Sequence, residues 1–193
     1  MQKPVRLRRN SGFTLIELLV TLVLMGVLAS VAVPSYRSFA INQQLSTASN
    51  DMLLSLMQAR SEAIRLGRPI IIAPIDGASW SSGWRIFVDN DASGTWSNTQ
   101  TLLPGGGGAI DSLVTITSAS TTGPFSSSTP FFAYSPSGFP RSYSGLYSGG
   151  LTNGKLWLTA AETGRERVVI VSNSGRARSC DPKTDSGQCA SSQ

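Results

Sequence analysis

The stretch FTLIELLVTLVLMGVLASVAV, residues 13–33, constrains this chain most. It holds 21 positions and one charge, Glu17. As an α-helix it spans about 31 Å, the thickness of a hydrocarbon core of about 30 Å. A surface this apolar needs lipid or other helices around it. The preceding Lys3, Arg6, Arg8 and Arg9 have no acidic counterpart within residues 1–12. Basic flanks stay on the cytoplasmic side, so the C-terminal bulk is expected across the membrane. Those four residues also account for +4 of the formal net charge of +5. The remainder of the chain is nearly balanced, so overall basicity carries no argument for nucleic acid.

An ordinary secretory signal ends in small residues at a cleavage site after its apolar run. Here helix-compatible sequence continues, and the small residue, Gly12, precedes the run. A cut between Gly12 and Phe13 would keep the apolar helix in the product. Glu17 then lies four residues, one helical turn, from the new amine. A carboxylate in hydrocarbon costs several kcal/mol unless paired. A protonated amine, in the same chain or in a staggered neighbour, is the partner this spacing offers. Snorkelling to the headgroups is the alternative.

Gly12, Phe13, Thr14, Leu15, Ile16 and Glu17 resemble the class III signal of type IV prepilins and type II secretion pseudopilins. In that family a prepilin peptidase cleaves after the glycine and methylates the new N-terminus, here Phe13. The resemblance implies that Glu17 pairs between subunits as pilins join a filament. Pro34 falls where many members kink the helix.

Beyond Pro34, Ile41, Leu45, Ala48, Met52, Leu56, Ala59 and Ala63 recur at steps of three and four, with Leu53, Met57 and Ile64 widening the stripe. That is an amphipathic helix with a core-facing side. Gly67, Arg68 and Pro69 stop it. One helix from Phe13 to about Leu66 would run roughly 80 Å. From Pro69 the signals turn to short strands, expected at Ile70–Ala73, Trp84–Val88, Thr99–Leu103, Leu113–Thr117, Phe131–Tyr134, Lys155–Thr159 and Glu166–Ser172. The Ser/Gly/Thr-rich run 118–154 is expected to be mostly loop. The fold class is therefore α+β, a long N-terminal helix packed on antiparallel sheet, and the resemblance implies that it is pilin-like. Its expected parts are a cleaved leader (1–12), a transmembrane segment (13–33), an amphipathic continuation (34–67) and a periplasmic β-rich domain (68–193). GWRIFVDNDASGTW and ARSEAIRLGRPI resemble the GspH/FimT branch of minor pilins and minor pseudopilins.

Several constellations carry little chemistry. Asp89, Asp91, Ser93 and Gly94 mimic the first half of a calcium loop. Gln100 stands where a bidentate acid is needed, which favours a hairpin turn. GGGG at 105–108 lacks the Lys-Ser/Thr of a phosphate loop and reads as flexible loop. The chain has no histidine, and no serine stands beside a recognisable base. A non-enzymatic protein without cofactor or metal is expected.

Cys180 and Cys189, close together near the C-terminus, suggest a local disulfide and an oxidising compartment, two free thiols being the alternative. Just before them, Arg176 and Arg178 alternate, so on an extended segment they project from one face about 6.6–6.8 Å apart. Lys183 adds charge. Two same-face guanidiniums suit phosphate contacts, and Gly175-Arg176-Ala177-Arg178 resembles the GRxR motif of a DNA-binding minor pilin. Pairing of these arginines with neighbouring subunits, or with Glu162 and Glu166, is the competing reading. The resemblance implies as partners the prepilin peptidase, other major and minor pilins or pseudopilins, and an inner-membrane assembly platform, with DNA added by the arginines. It places the chain in the inner membrane and then in a pilus or pseudopilus. A minor pseudopilin of a type II secretion system is the alternative within the family. An adhesin or carbohydrate binder using loops 134–150 is the alternative outside it.

Overall fold

The structure, a computed structural model, describes residues 12–118, 125, 130–141 and 153–190. Residues 1–11 of the expected leader, and most of the Ser/Gly-rich region, lie outside them. The chain divides into two compact units, residues 1–39 and 40–193.

A 52-residue helix, α1 (Leu15–Leu66), contributes to both units. It ends at Gly67, whose amide donates to the Ala63 carbonyl and whose φ of 63° is left-handed, the conformation a helix-ending glycine supplies without steric cost. In the first unit the helix is exposed on every side from Leu15 to Arg37. An 18-residue stretch of the helix has a mean hydropathy of 2.5, and the helix is long and apolar enough to cross a membrane.

In the second unit the helix becomes one-sided. Ile41, Leu45, Ala48, Met52, Leu56, Ala59 and Ala63 are all buried, joined by Ser49 and Ser55. The expected widening of the stripe fails at two places. Met57 and Ile64 are each 55% exposed, because the sheets cover a narrower arc of the helix than its apolar residues occupy.

Among the described residues nine strands come next: β1 (Ile70–Pro74), β2 (Trp84–Val88), β3 (Thr101–Gly107), β4 (Val114–Ser118), β5 (Phe132–Tyr134), β6 (Pro140–Arg141), β7 (Gly154–Ala160), β8 (Glu166–Val171) and β9 (Ala177–Cys180). A short helix, α2 (Ser186–Ala190), comes last. The strands form two antiparallel sheets, β3-β2-β1-β5-β6 and β4-β7-β8-β9. Side chains alternate between the two faces of a strand, and β7 shows it cleanly, every second residue being buried. The helix-facing sides of both sheets and the α1 stripe share one core, in which Met52, Leu56, Ile70, Ile72, Ile86, Phe132, Tyr134, Leu156, Leu158 and Val169 meet. Burying each large apolar side chain contributes about 1.5–3 kcal/mol.

The outer faces are covered separately. On the first sheet, Trp96 and Phe131 pack over Ile71, Ala73, Phe87 and Ala133. On the second, Cys180 and Cys189 are disulfide-bonded and hold α2 against Val168, Ile170 and Trp157. Lys155 Nζ donates to the Cys189 carbonyl at 3.0 Å and ties the same end down.

The glycine run corrects the loop expectation. Gly105, Gly106 and Gly107 belong to β3, where Gly107 pairs with Trp84. The strand passes directly over the core. A Cβ on Gly107 would overlap the Trp84 ring, one on Gly106 the Trp84 carbonyl, and one on Gly105 the Gln58 amide. The close approach lets the Ser55 hydroxyl donate to the Gly105 carbonyl and accept from Trp84 Nε1 at 2.8 Å. These glycines serve proximity, and β-propensity is overridden. Gly108 has open space around it. Thermal unfolding of the full chain in detergent should separate the two roles. Gly107→Ala is expected to cost about 1–3 kcal/mol, and Gly108→Ala to leave the midpoint unchanged.

Candidate functional site

At the start of α1, the Glu17 amide donates to Thr14 Oγ1 at 3.3 Å and the Thr14 amide to Glu17 Oε2 at 3.5 Å. This is a reciprocal capping box, which satisfies amides that the first helical turn leaves without partners. The Thr-x-x-Glu spacing before an apolar run is its sequence signature, and sequence reasoning spent on charge pairing passed over it. Gly12, Phe13 and Thr14 precede the helix in exposed, non-helical chain. The residues flanking the expected cut therefore stand clear of the helical ladder, and Glu17 lies one turn inside it.

In the second unit, the β8–β9 hairpin presents the arginine motif. Val171 pairs with Ala177 and Ile170 with Arg178. The turn closes as the Ser172 amide donates to the Arg176 carbonyl at 3.0 Å and the Gly175 amide to the Ser172 carbonyl at 2.8 Å. Arg178 shares the outer face with Ile170 and Cys180, whereas Arg176 precedes β9 and borders a hollow with Arg60, Met57 and Ile64 of α1. Arg176 is exposed and Arg178 half-buried. The fold separates Lys183 from them. Its Nζ donates to the Gly164 carbonyl at 3.1 Å, beside the Arg165–Asp181 pair at 3.9 Å, at the opposite end of the hairpin. Glu162 and Glu166 also belong to that end.

Residues remote in sequence hold the turn from behind. Arg60 Nη2 donates to the Ser174 carbonyl at 2.9 Å, and the Tyr134 hydroxyl to the Gly175 carbonyl at 3.3 Å. Burial pushes the Tyr134 phenol up, with Arg60 opposing more weakly, so the hydroxyl stays a neutral donor. Gly175 has φ 79°, and a Cβ there would overlap the Gly138 carbonyl. The motif's glycine is thus fixed by a neighbouring backbone as well as by its own φ.

The loop weighed as a calcium site is closed by a side chain. Gln100 Nε2 donates to Asp89 Oδ1 at 3.1 Å, to Asp91 Oδ1 at 2.9 Å and to Ser93 Oγ at 3.4 Å. The amides of Ser93 and Gly94 reach Asp89 at 3.2 and 3.0 Å. Hydrogen bonding, from the Ser93 hydroxyl first, holds the Asp91 carboxyl down at about 2. A lowered native value contributes stability above the ordinary carboxylate range, and that stability is lost as pH falls towards 2. The amide nitrogen occupies the convergence point of these oxygens. Gln100→Glu would replace the donor with a third carboxylate. Its melting temperature is expected to drop and to recover with millimolar calcium, while the wild-type midpoint stays indifferent to calcium; scanning calorimetry reads both.

The family comparisons match the N-terminal stretch and the chain as far as Gly175. The family described as "Type II transport protein GspH" matches residues 48–175, and the "Prokaryotic N-terminal methylation motif" matches residues 7–33. A fimbrial protein of Pseudomonas aeruginosa is 27% identical over 124 residues, 56% of this chain and 78% of that protein. The fimbrial protein EcpC of Eikenella corrodens is 44% identical over 41 residues, 21% of this chain and 27% of that one. The crystal structure of the type IV minor pilin FimU of Pseudomonas aeruginosa superposes with a TM-score of 0.54 at 19% identity, covering 76% of this chain and 95% of that one. The two share a fold.

Proposed function

The chain belongs to the GspH family of minor pilins and pseudopilins, and from that premise we propose that it is a non-enzymatic minor subunit of a type IV pilus. The observation that carries this reading is the pairing of Gly12-Phe13 with an exposed apolar first part of α1, residues 15–33, whose one acid, Glu17, sits in the first turn. Prepilin peptidase cleaves after Gly12 and methylates the Phe13 amine. The helix anchors the chain in the inner membrane, with the β-rich unit in the periplasm, and then packs among other pilins at the assembly platform. Exposed leucines and valines from Leu15 to Val33 are satisfied equally by lipid and by neighbouring helices, so transfer between the two leaves the burial of apolar surface nearly constant.

In the precursor Glu17 caps its own helix. After cleavage its carboxylate also pairs with the Phe13 amine of an adjacent subunit, which offsets the cost of keeping a charge among apolar helices. Glu17→Ala is expected to insert and to be processed normally, yet to be missing from sheared pili. Wild-type incorporation would end the recruitment role.

The fimbrial relatives, the disulfide-held tail and the arginine hairpin favour the pilus. The family description favours a second reading, a minor pseudopilin of type II secretion. A deletion strain separates them, since loss of surface pili with an intact secretome supports the first and the reverse outcome the second.

We also propose that Arg176 and Arg178 contact DNA phosphates. Phosphate contacts without base readout bind weakly, indifferently to sequence, and with strong salt dependence. In anisotropy titrations at low salt the Arg176→Gln/Arg178→Gln double variant is expected to lose most of its affinity. Equal affinity of variant and wild type would remove DNA from the function.

A further inference from the structure

The hairpin that carries Arg176 and Arg178 also forms one wall of a seam against α1, and the seam is cationic in its own right. Two hollows lie along it. One, of about 430 Å³, is bordered by Arg60, Ser61, Met57 and Ile64 of the helix and by Gly175, Arg176 and Ala177 of the turn. The other, of about 360 Å³, is bordered by Ser46, Ser49, Asn50 and Leu53 of the helix and by Arg167 and Ser179 of the sheet. Ala177 and Ser179 stand two positions apart on β9, on its helix-facing side, where Ser179 Oγ meets Ser49 Oγ at 2.7 Å. Among the described residues, neither hollow is bordered by a carboxylate or an aromatic ring.

That lining selects a class of ligand. Three guanidiniums without acids favour an anion, and the hydroxyl and amide groups of Ser46, Asn50 and Ser179 add hydrogen-bonding capacity beside Arg167. Among the described residues both linings lack aromatic platforms for stacked bases, so contact falls on the sugar–phosphate backbone. Hollows of about 430 and 360 Å³ are too small to enclose a duplex. A duplex meets only the rim, where Arg176 is exposed.

We propose that the α1–β9 seam is a track for a single nucleic-acid strand, in which Arg167 takes one phosphate and Arg176, with Arg60 behind it, takes another. The proposal rests on the DNA contact argued for Arg176 and Arg178, and adds to it a strand preference and a residue, Arg167, that no motif marks. Arg60 both holds the turn through Ser174 and supplies charge to the hollow beneath it.

The test uses the full chain in detergent micelles, with labelled oligothymidylate and a duplex of equal phosphate number. Arg167→Gln is expected to weaken oligothymidylate binding severalfold, to reduce the slope of log affinity on log salt by about 0.7, and to leave duplex binding unchanged. Asn50→Asp, at an exposed helix position, introduces a carboxylate into the same hollow with little risk to folding and is expected to act in the same direction. The Arg176→Gln/Arg178→Gln variant is expected to weaken both ligands. If Arg167→Gln and Asn50→Asp bind oligothymidylate as the wild type does while the double variant is weakened, the track is refuted and the hairpin contact stands. If the double variant is unchanged as well, the DNA reading fails and the track with it. Displacement of oligothymidylate by oligoglutamate at equal charge would make an acidic protein segment the occupant, and would overturn the proposal.

Discussion

One stripe of seven apolar residues on the second half of α1 serves two sheets at once. Ile41 to Ala63 is the common floor on which the helix-facing rows of both sheets rest, and helical periodicity leaves no other face that could do so. Much of the molecule's detail depends on how closely each sheet must approach that stripe. At its C-terminal part the stripe narrows to Ala59 and Ala63, and there Arg60 can reach sideways to the β8–β9 turn. In its middle, Ser55 accepts from Trp84 and donates to Gly105, and β3 gives up side chains at Gly105, Gly106 and Gly107 to lie close enough.

The outer faces obey a different rule. Neither sheet can leave Ile71 and Phe87, or Val168 and Ile170, facing water, and each is covered by chain with little regular structure of its own. On the first sheet a loop brings Trp96 over Phe87, the two rings meeting edge to face at 5.3 Å, and the loop is braced internally by Gln100. On the second, α2 is too short to hold itself in place, and a disulfide with a nine-residue separation does so. Such a bond contributes about 2–3 kcal/mol by restricting the unfolded chain. The two covers solve one problem with different chemistry, a buried amide in one case and a covalent bond in the other.

The features legible in the sequence were periodic or local. The stripe from Ile41 to Ala63 emerged complete because 3.6-residue periodicity is a direct imprint of one-sided burial, whereas of the two alternating arginines only Arg178 stands in a strand, β9, with Arg176 in the chain leading into it. The features that escaped depended on partners distant along the chain. Met57 and Ile64 have core-like chemistry, and only the width of the sheets decides that they stay exposed. GGGG has loop-like composition, and its first three glycines join β3 because Gln58 and Trp84 lie close behind them. Lys183 is near Arg178 in sequence, yet the strand carries it to the far end of the hairpin. Arg167 belongs to no motif, and its neighbour Ser179 stands on the next strand, across the hairpin turn. The Thr14–Glu17 capping box is the exception, since its signature is local and was legible.

The arginine hairpin is easily mistaken for a portable four-residue motif. Its glycine is pressed against the Gly138 carbonyl, and Gly138 is itself left-handed at φ 77° with Ile64 packed beside it. A side chain on Gly175 would meet the Gly138 carbonyl and one on Gly138 would meet Ile64, and Arg60 and Tyr134 must supply their hydrogen bonds from two further elements. Heredity therefore acts on the set as a unit. Among descendants of this chain, a lineage that loses Gly175 has lost the turn's shape even where both arginines remain, and one that loses Gly138 must first make room at Ile64.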